Sequence, residues 1–155
     1  MTAPPPTHPR RTLSVPATVA PPQPAAAPAA GANPHFRLLG GEPAVRQLVA
    51  HFYDAMDQRS DAMFIRALHP ADLGQARERL FQFLSGWLGG PPLYAERHGP
   101  PRLRRAHAAF AIDAAARDAW MACMDQALGA VVRDPGLRDE LRAAFMKVAT
   151  ALVNR

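Results

Sequence analysis

Between residues 88 and 107 the chain reads Leu88-Gly89-Gly90-Pro91-Pro92-Leu93-Tyr94-Ala95-Glu96-Arg97-His98-Gly99-Pro100-Pro101-Arg102-Leu103-Arg104-Arg105-Ala106-His107. Its glycines and prolines stop any helix arriving at Leu88 and hold residues 91–101 as loop with at most one turn of helix. Beyond that loop Leu103, Ala106, His107 and Phe110 fall at i, i+3, i+4 and i+7, so a short helix resumes with His107 in the middle of an apolar face. An imidazole on such a face needs partners for both nitrogens, because desolvation disfavours its charged form. Two readings stand: a core histidine bonded to a backbone carbonyl, or a neutral axial ligand of an iron centre with its second N–H fixed by a neighbour.

Helical periodicity extends in both directions. After Gly40-Gly41, Pro43 suits a first turn, and Val45, Leu48, Val49, Phe52 and Met56 predict a helix to about Gln58. A shorter helix covers Asp61 to Leu68 and ends before His69-Pro70. Leu73, Ala76, Leu80, Leu84 and Trp87 predict another from about Ala71 to Leu88. Downstream, Asp113 caps a helix to about Val132 with Trp120, Met124, Ala127 and Val131 on one face, and Asp134-Pro135 breaks it. Leu137 to Val153 is the last helix, with Leu141, Phe145, Val148 and Leu152 inward. No segment alternates like a strand, so the fold class is all-α.

A chain of 155 residues with 48% hydrophobic composition supports one compact domain and a tail. Residues 1–33 hold more than half of the 17 prolines, alanine runs and almost nothing large and apolar. They are read as a disordered, Pro/Ala-rich tail, and residues 34–155 as the domain. A lone cysteine, Cys123, rules out an internal disulfide framework and a thiolate zinc cluster. Without a membrane-length apolar run or a secretory signal at its start, the chain is expected in the cytoplasm. Two of the five net positive charges belong to Arg10 and Arg11. Acids interleave through the remainder and no basic stripe carries aromatics, so neither nucleic acid nor membrane is an expected partner.

The run Leu88-Gly89-Gly90-Pro91, Tyr94, Gly99, Pro101-Arg102-Leu103-Arg104, His107 and Phe110 resembles the group II truncated haemoglobins in order and spacing. The likeness continues through Arg117-Asp118-Ala119-Trp120 and Cys123-Met124, and upstream through Leu39-Gly40-Gly41, Val49, Phe52-Tyr53 and His69-Pro70. It spans roughly residues 36 to 153. The resemblance implies a two-over-two helical sandwich, residues 42–58 pairing with 71–88 and 113–132 with 137–153, around one haem b whose iron is held by His107.

By the same resemblance Tyr53, His69 and Trp120 are the distal residues that meet a gas ligand. From the residues alone each has another reading, as a surface-tipped helix tyrosine, a loop histidine and a large core filler. Ala76 stands where larger globins carry a distal histidine, with Leu80 as a pocket wall. Tyr94, Arg102 and Arg104 match the propionate partners, and Phe81, Leu84, Leu103, Phe110 and Met124 the porphyrin contacts, with Phe64, Phe145 and Val148 as further core candidates. Two departures stand out. Ala106 replaces the arginine usual before the iron ligand, with Arg105 one position earlier, and Pro100 replaces a common histidine.

The implied function is reversible binding of dioxygen and related gases, whether for oxygen transport or sensing. Its alternatives are haem enzymology, as nitric oxide dioxygenation or peroxidase chemistry, and a haem-free helical interaction module. With no nucleotide-binding glycine fingerprint in the chain, redox turnover would need a separate reductase.

Overall fold

The computed structural model describes residues 33–155, so the tail reading lies outside the described residues except at Asn33. Eight α-helices follow in order: α1 His35–Leu39, α2 Gly41–Gln58, α3 Met63–Arg66, α4 Gly74–Trp87, α5 Leu93–His98, α6 Leu103–His107, α7 Ala114–Val131 and α8 Pro135–Ala151, with a 3-10 turn at Ser60–Ala62 before α3. No strand occurs among the described residues.

Apolar periodicity places the long helices. Val45, Leu48, Val49, Phe52, Ala55 and Met56 of α2 are buried against Met121, Cys123, Met124, Ala127 and Leu128 of α7, the most extensive helix contact. Helix α4 packs on α2 and α8 on α7, which gives the two antiparallel pairs of the sandwich. The Asp113 side chain caps α7, accepting from Ala116 N at 2.8 Å, and Asp134 caps α8 by accepting from Gly136 N at 3.2 Å with Pro135 in the first turn.

The glycine pair after α4 has a packing reason as well as a turn. The last carbonyls of α4 are met from the start of the fold: Asn33 Nδ2 donates to Trp87 O at 3.0 Å and Phe36 N to Leu88 O at 2.8 Å. A Cβ on Gly90 would lie 2.5 Å from the Phe36 ring, and one on Gly89, which has φ +95°, 1.9 Å from Asn33 O.

Several local expectations are corrected. Helix α1 is too short for periodicity to reveal. The 61–68 helix divides into the 3-10 turn and α3, and α4 starts at Gly74 rather than Ala71. Six residues of the 91–101 segment form α5, somewhat more than the single turn expected. Helix α6 ends at His107, so the imidazole closes the helix instead of occupying its middle, and Phe110 lies beyond it, 39% exposed. Phe64, expected in the core, is 48% exposed because the short α3 buries only Ile65.

Candidate functional site

His107 is held by its own helix. Its Nδ1 lies 2.7 Å from the carbonyl oxygen of Leu103, one turn earlier, and a carbonyl only accepts, so Nδ1 carries the proton and donates. The lone pair is thereby left on Nε2, the atom a metal would take. The ring is half-buried, which does not suit a sealed core histidine. Neither α5 nor α6 contains a buried residue. What ties α6 down is the far end of the chain: Asn154 Nδ2 donates to Phe110 O at 3.0 Å and to His107 O at 3.5 Å, and its Oδ1 accepts from Ile112 N at 2.9 Å. Sequence reasoning missed Asn154, and no local pattern could have found a contact 44 residues distant.

Tyr53 and His69 meet directly, and Trp120 is linked to them through Phe52. The Tyr53 and His69 rings lie 5.9 Å apart, edge to face, and Phe52, next to Tyr53, lies 5.0 Å from Trp120. Tyr53 is buried, and desolvation pushes its phenol up to about 12 against the lowering charge of Arg77. Its hydroxyl donates to Ala76 O at 3.4 Å, a long bond that costs little to give up. His69 Nδ1 donates to Ile65 O at 2.9 Å, leaving its Nε2 as an acceptor. Ala76 and Leu80 are half-buried on α4 beside this group.

The expected porphyrin contacts divide. Leu103 is half-buried on α6, whereas Phe81, Leu84 and Met124 lie inside the packed core, the Phe81 ring covered by the Arg46 guanidinium at 3.8 Å. The rim residues divide as well. Tyr94 and Arg102 border one groove of about 390 Å³ together with His98, Pro100, Arg105 and Ala106. Arg104 borders another with Ala108 and residues 151–155. Arg105 therefore brings a second guanidinium to the groove where Ala106 offers none. Cys123 is fully buried on α7, and burial pushes its thiol up, away from reactivity.

Among the described residues no three of His, Cys, Asp and Glu gather to hold a bare ion. One imidazole suffices only where a macrocycle already supplies four donors, so the donor set fits haem. Residues 35–154 match the bacterial-like globin family. The chain belongs to that family, as a group II truncated haemoglobin. This globin is 36% identical over 115 residues to the group 2 truncated hemoglobin YjbI of Bacillus subtilis, covering 74% of this chain and 85% of that one. The cold-adapted truncated hemoglobin of Pseudoalteromonas haloplanktis superposes with a TM-score of 0.77 at 40% identity, over 78% of this globin and 98% of that chain. A group II 2-on-2 hemoglobin from Agrobacterium tumefaciens gives 0.75 at 38% identity, over 77% and 93%. Globin membership implies a haem cofactor. No helix among the described residues is long and apolar enough to cross a membrane.

Proposed function

We propose that residues 34–155 bind one haem b through Nε2 of His107 and retain dioxygen against Tyr53 and Trp120. The observation that carries this reading is the 2.7 Å bond from His107 Nδ1 to Leu103 O, which fixes the tautomer with its lone pair outward. Haem held by His107 would supply an iron able to take a diatomic gas. Around it the chain's own groups act as donors, anchors and walls. Tyr53, neutral far above physiological pH, offers a hydroxyl proton that exchanges the long bond to Ala76 O for one to the gas. Trp120 offers an indole N–H, which can only donate. His69, its Nδ1 proton committed to Ile65 O, accepts at Nε2 and positions the donors. Arg102, Arg105 and Tyr94 share the groove suited to anionic propionates.

Each donor contributes on the order of 1 to 3 kcal/mol, and every 1.4 kcal/mol is roughly tenfold in affinity. Retention of that size suits redox chemistry on the gas, nitric oxide dioxygenation above all, better than oxygen transport. Turnover would then draw electrons from a separate reductase in the cytoplasm, a reducing setting that a lone buried thiol tolerates. The test pairs His107→Ala, which abolishes the Soret band and the iron–imidazole Raman band, with stopped-flow oxygen dissociation and nitric oxide consumption by the parent protein. Fast oxygen release with slow nitric oxide consumption would leave only carriage or sensing.

A further inference from the structure

Residues 67–76 carry His69 and Ala76 to the side of Tyr53, yet only Leu73 among them is buried. A segment with so few apolar contacts takes its place from polar bonds. The two arginines that flank it supply them. Both reach one face of α2, on which Ala50, Asp54 and Asp57 fall at i, i+4 and i+7.

Before the segment, the Arg66 guanidinium makes three bonds at once. Its Nε donates to Asp57 Oδ1 at 2.6 Å, Nη1 to Pro70 O at 2.9 Å and Nη2 to Ala71 O at 2.9 Å. A ring of bonds thus closes across residues 66–71, and His69 hangs within it, its backbone N donating to Arg66 O at 3.0 Å and its Nδ1 to Ile65 O at 2.9 Å. After the segment, Arg77 Nη2 donates to Asp54 Oδ1 at 2.8 Å and Nη1 to Ala50 O at 3.3 Å. Its Cζ stands 5.7 Å from the centre of the Tyr53 ring. Ala76 O, the resting partner of the Tyr53 hydroxyl, therefore sits one residue from an anchor. Ion pairs whose carboxylates are half-exposed contribute little stability by themselves. What they give is position, because a planar guanidinium bonded at several points has one orientation.

We propose that Arg66 and Arg77 are positioning residues of the distal pocket, clasping residues 67–76 to α2 so that His69 and Ala76 O stand at fixed places beside the Tyr53 hydroxyl. The proposal rests on the haem reading above. Both arginines act through other residues. Arg66 sets the place of the His69 ring, and Arg77 that of the carbonyl the phenol must leave, so a loosened clasp deprives the Tyr53 hydroxyl of a single direction.

The test uses the ferrous holoprotein with carbon monoxide, whose C–O stretch falls as a donor points at its oxygen. The parent should give one narrow infrared band, and Tyr53→Phe a band at higher wavenumber. Arg66→Met and Arg77→Met should each move intensity from the first position to the second. Arg77→Lys should return it, because an ammonium still meets both Asp54 and Ala50 O. In the Tyr53→Phe background the same arginine changes should move nothing. Arg142→Met, which breaks the 2.9 Å ion pair to Asp125 between α8 and α7, should keep the parental band and so separates position from general stability. Amide exchange in residues 67–73 should quicken about tenfold in Arg66→Met and not in Arg142→Met. Parental bands in both methionine variants, or a shift that survives in the Tyr53→Phe background, would overturn this proposal alone. A parental band in Tyr53→Phe, or no Soret band in the parent protein, would overturn it together with the reading it rests on.

Discussion

The side-chain amide of Asn154 donates to the carbonyl oxygen of Phe110 at 3.0 Å, fastening the last residues of the chain to the segment that follows α6. Its second acceptor is the carbonyl of His107 itself, and its own amide oxygen holds Ile112 N. Three bonds at one side chain thus fix where α6 stops. Asn154→Ala should lower stability by about 1 to 2 kcal/mol, quicken haem loss and shift the iron–imidazole stretching band. An unmoved Raman band would show that α6 keeps its position without Asn154.

Tyr53 and Trp120 meet through Phe52, so the effects expected of them on a bound gas should be coupled. Tyr53→Phe and Trp120→Leu should each speed oxygen dissociation by about tenfold, with the double variant departing from the product of the two. Stopped-flow dissociation by ligand replacement reads this directly. Parental rates in both single variants would remove the two residues from the distal role.

The buried phenol of Tyr53 makes an alkaline prediction. Its pKa rises from 10.0 unfolded to about 12 folded, chiefly through desolvation. The unfolded chain therefore loses this proton first, so the stability the group contributes is complete below pH 10 and fades as pH climbs toward 12. The fall is about 1.4 kcal/mol per pH unit over that window. Denaturant midpoints measured from pH 9 to 12 should decline less steeply in Tyr53→Phe; identical slopes would refute the assignment.

Gly90 leaves no room for a side chain beneath Phe36. Gly90→Ala should cost about 1 to 3 kcal/mol through overpacking, seen as a lowered Tm. Adding Phe36→Ala should recover part of the loss. Simple additivity of the two changes would place the clash elsewhere.

How much of this was legible in the sequence follows from the range of each interaction. Periodicity finds α2, α7 and α8 because each buries a full stripe, and Asp113 reveals its cap because capping acts over two or three residues, whereas Asp134, read only as a breaker with Pro135, also caps α8. Helices α1 and α5 span too few turns to carry a stripe. His107 was visible as a residue requiring explanation, but its tautomer depends on a carbonyl that becomes available only once α6 is coiled. Phe64 misled because hydrophobicity says nothing of which way a short helix turns. Asn154, the Phe36–Gly90 contact and the Arg66–Asp57 and Arg77–Asp54 pairs depend on residues brought together by the whole fold.

The lack of any buried residue in α5 and α6 bears on how the cell could tell a loaded chain from an empty one. Local opening is least costly where few apolar contacts must be given up. Residues 93–107 are such a place, and they carry Arg97, Arg102, Arg104 and Arg105 as cleavage points for a trypsin-like protease. Haem seated against His107 would add contacts to this segment, so cofactor capture would double as proofreading, unfilled chains being nicked at α6 while filled ones survive. Limited trypsinolysis should cut the apoprotein at these arginines at least about tenfold faster than the holoprotein, and equal rates would deny the helix that part.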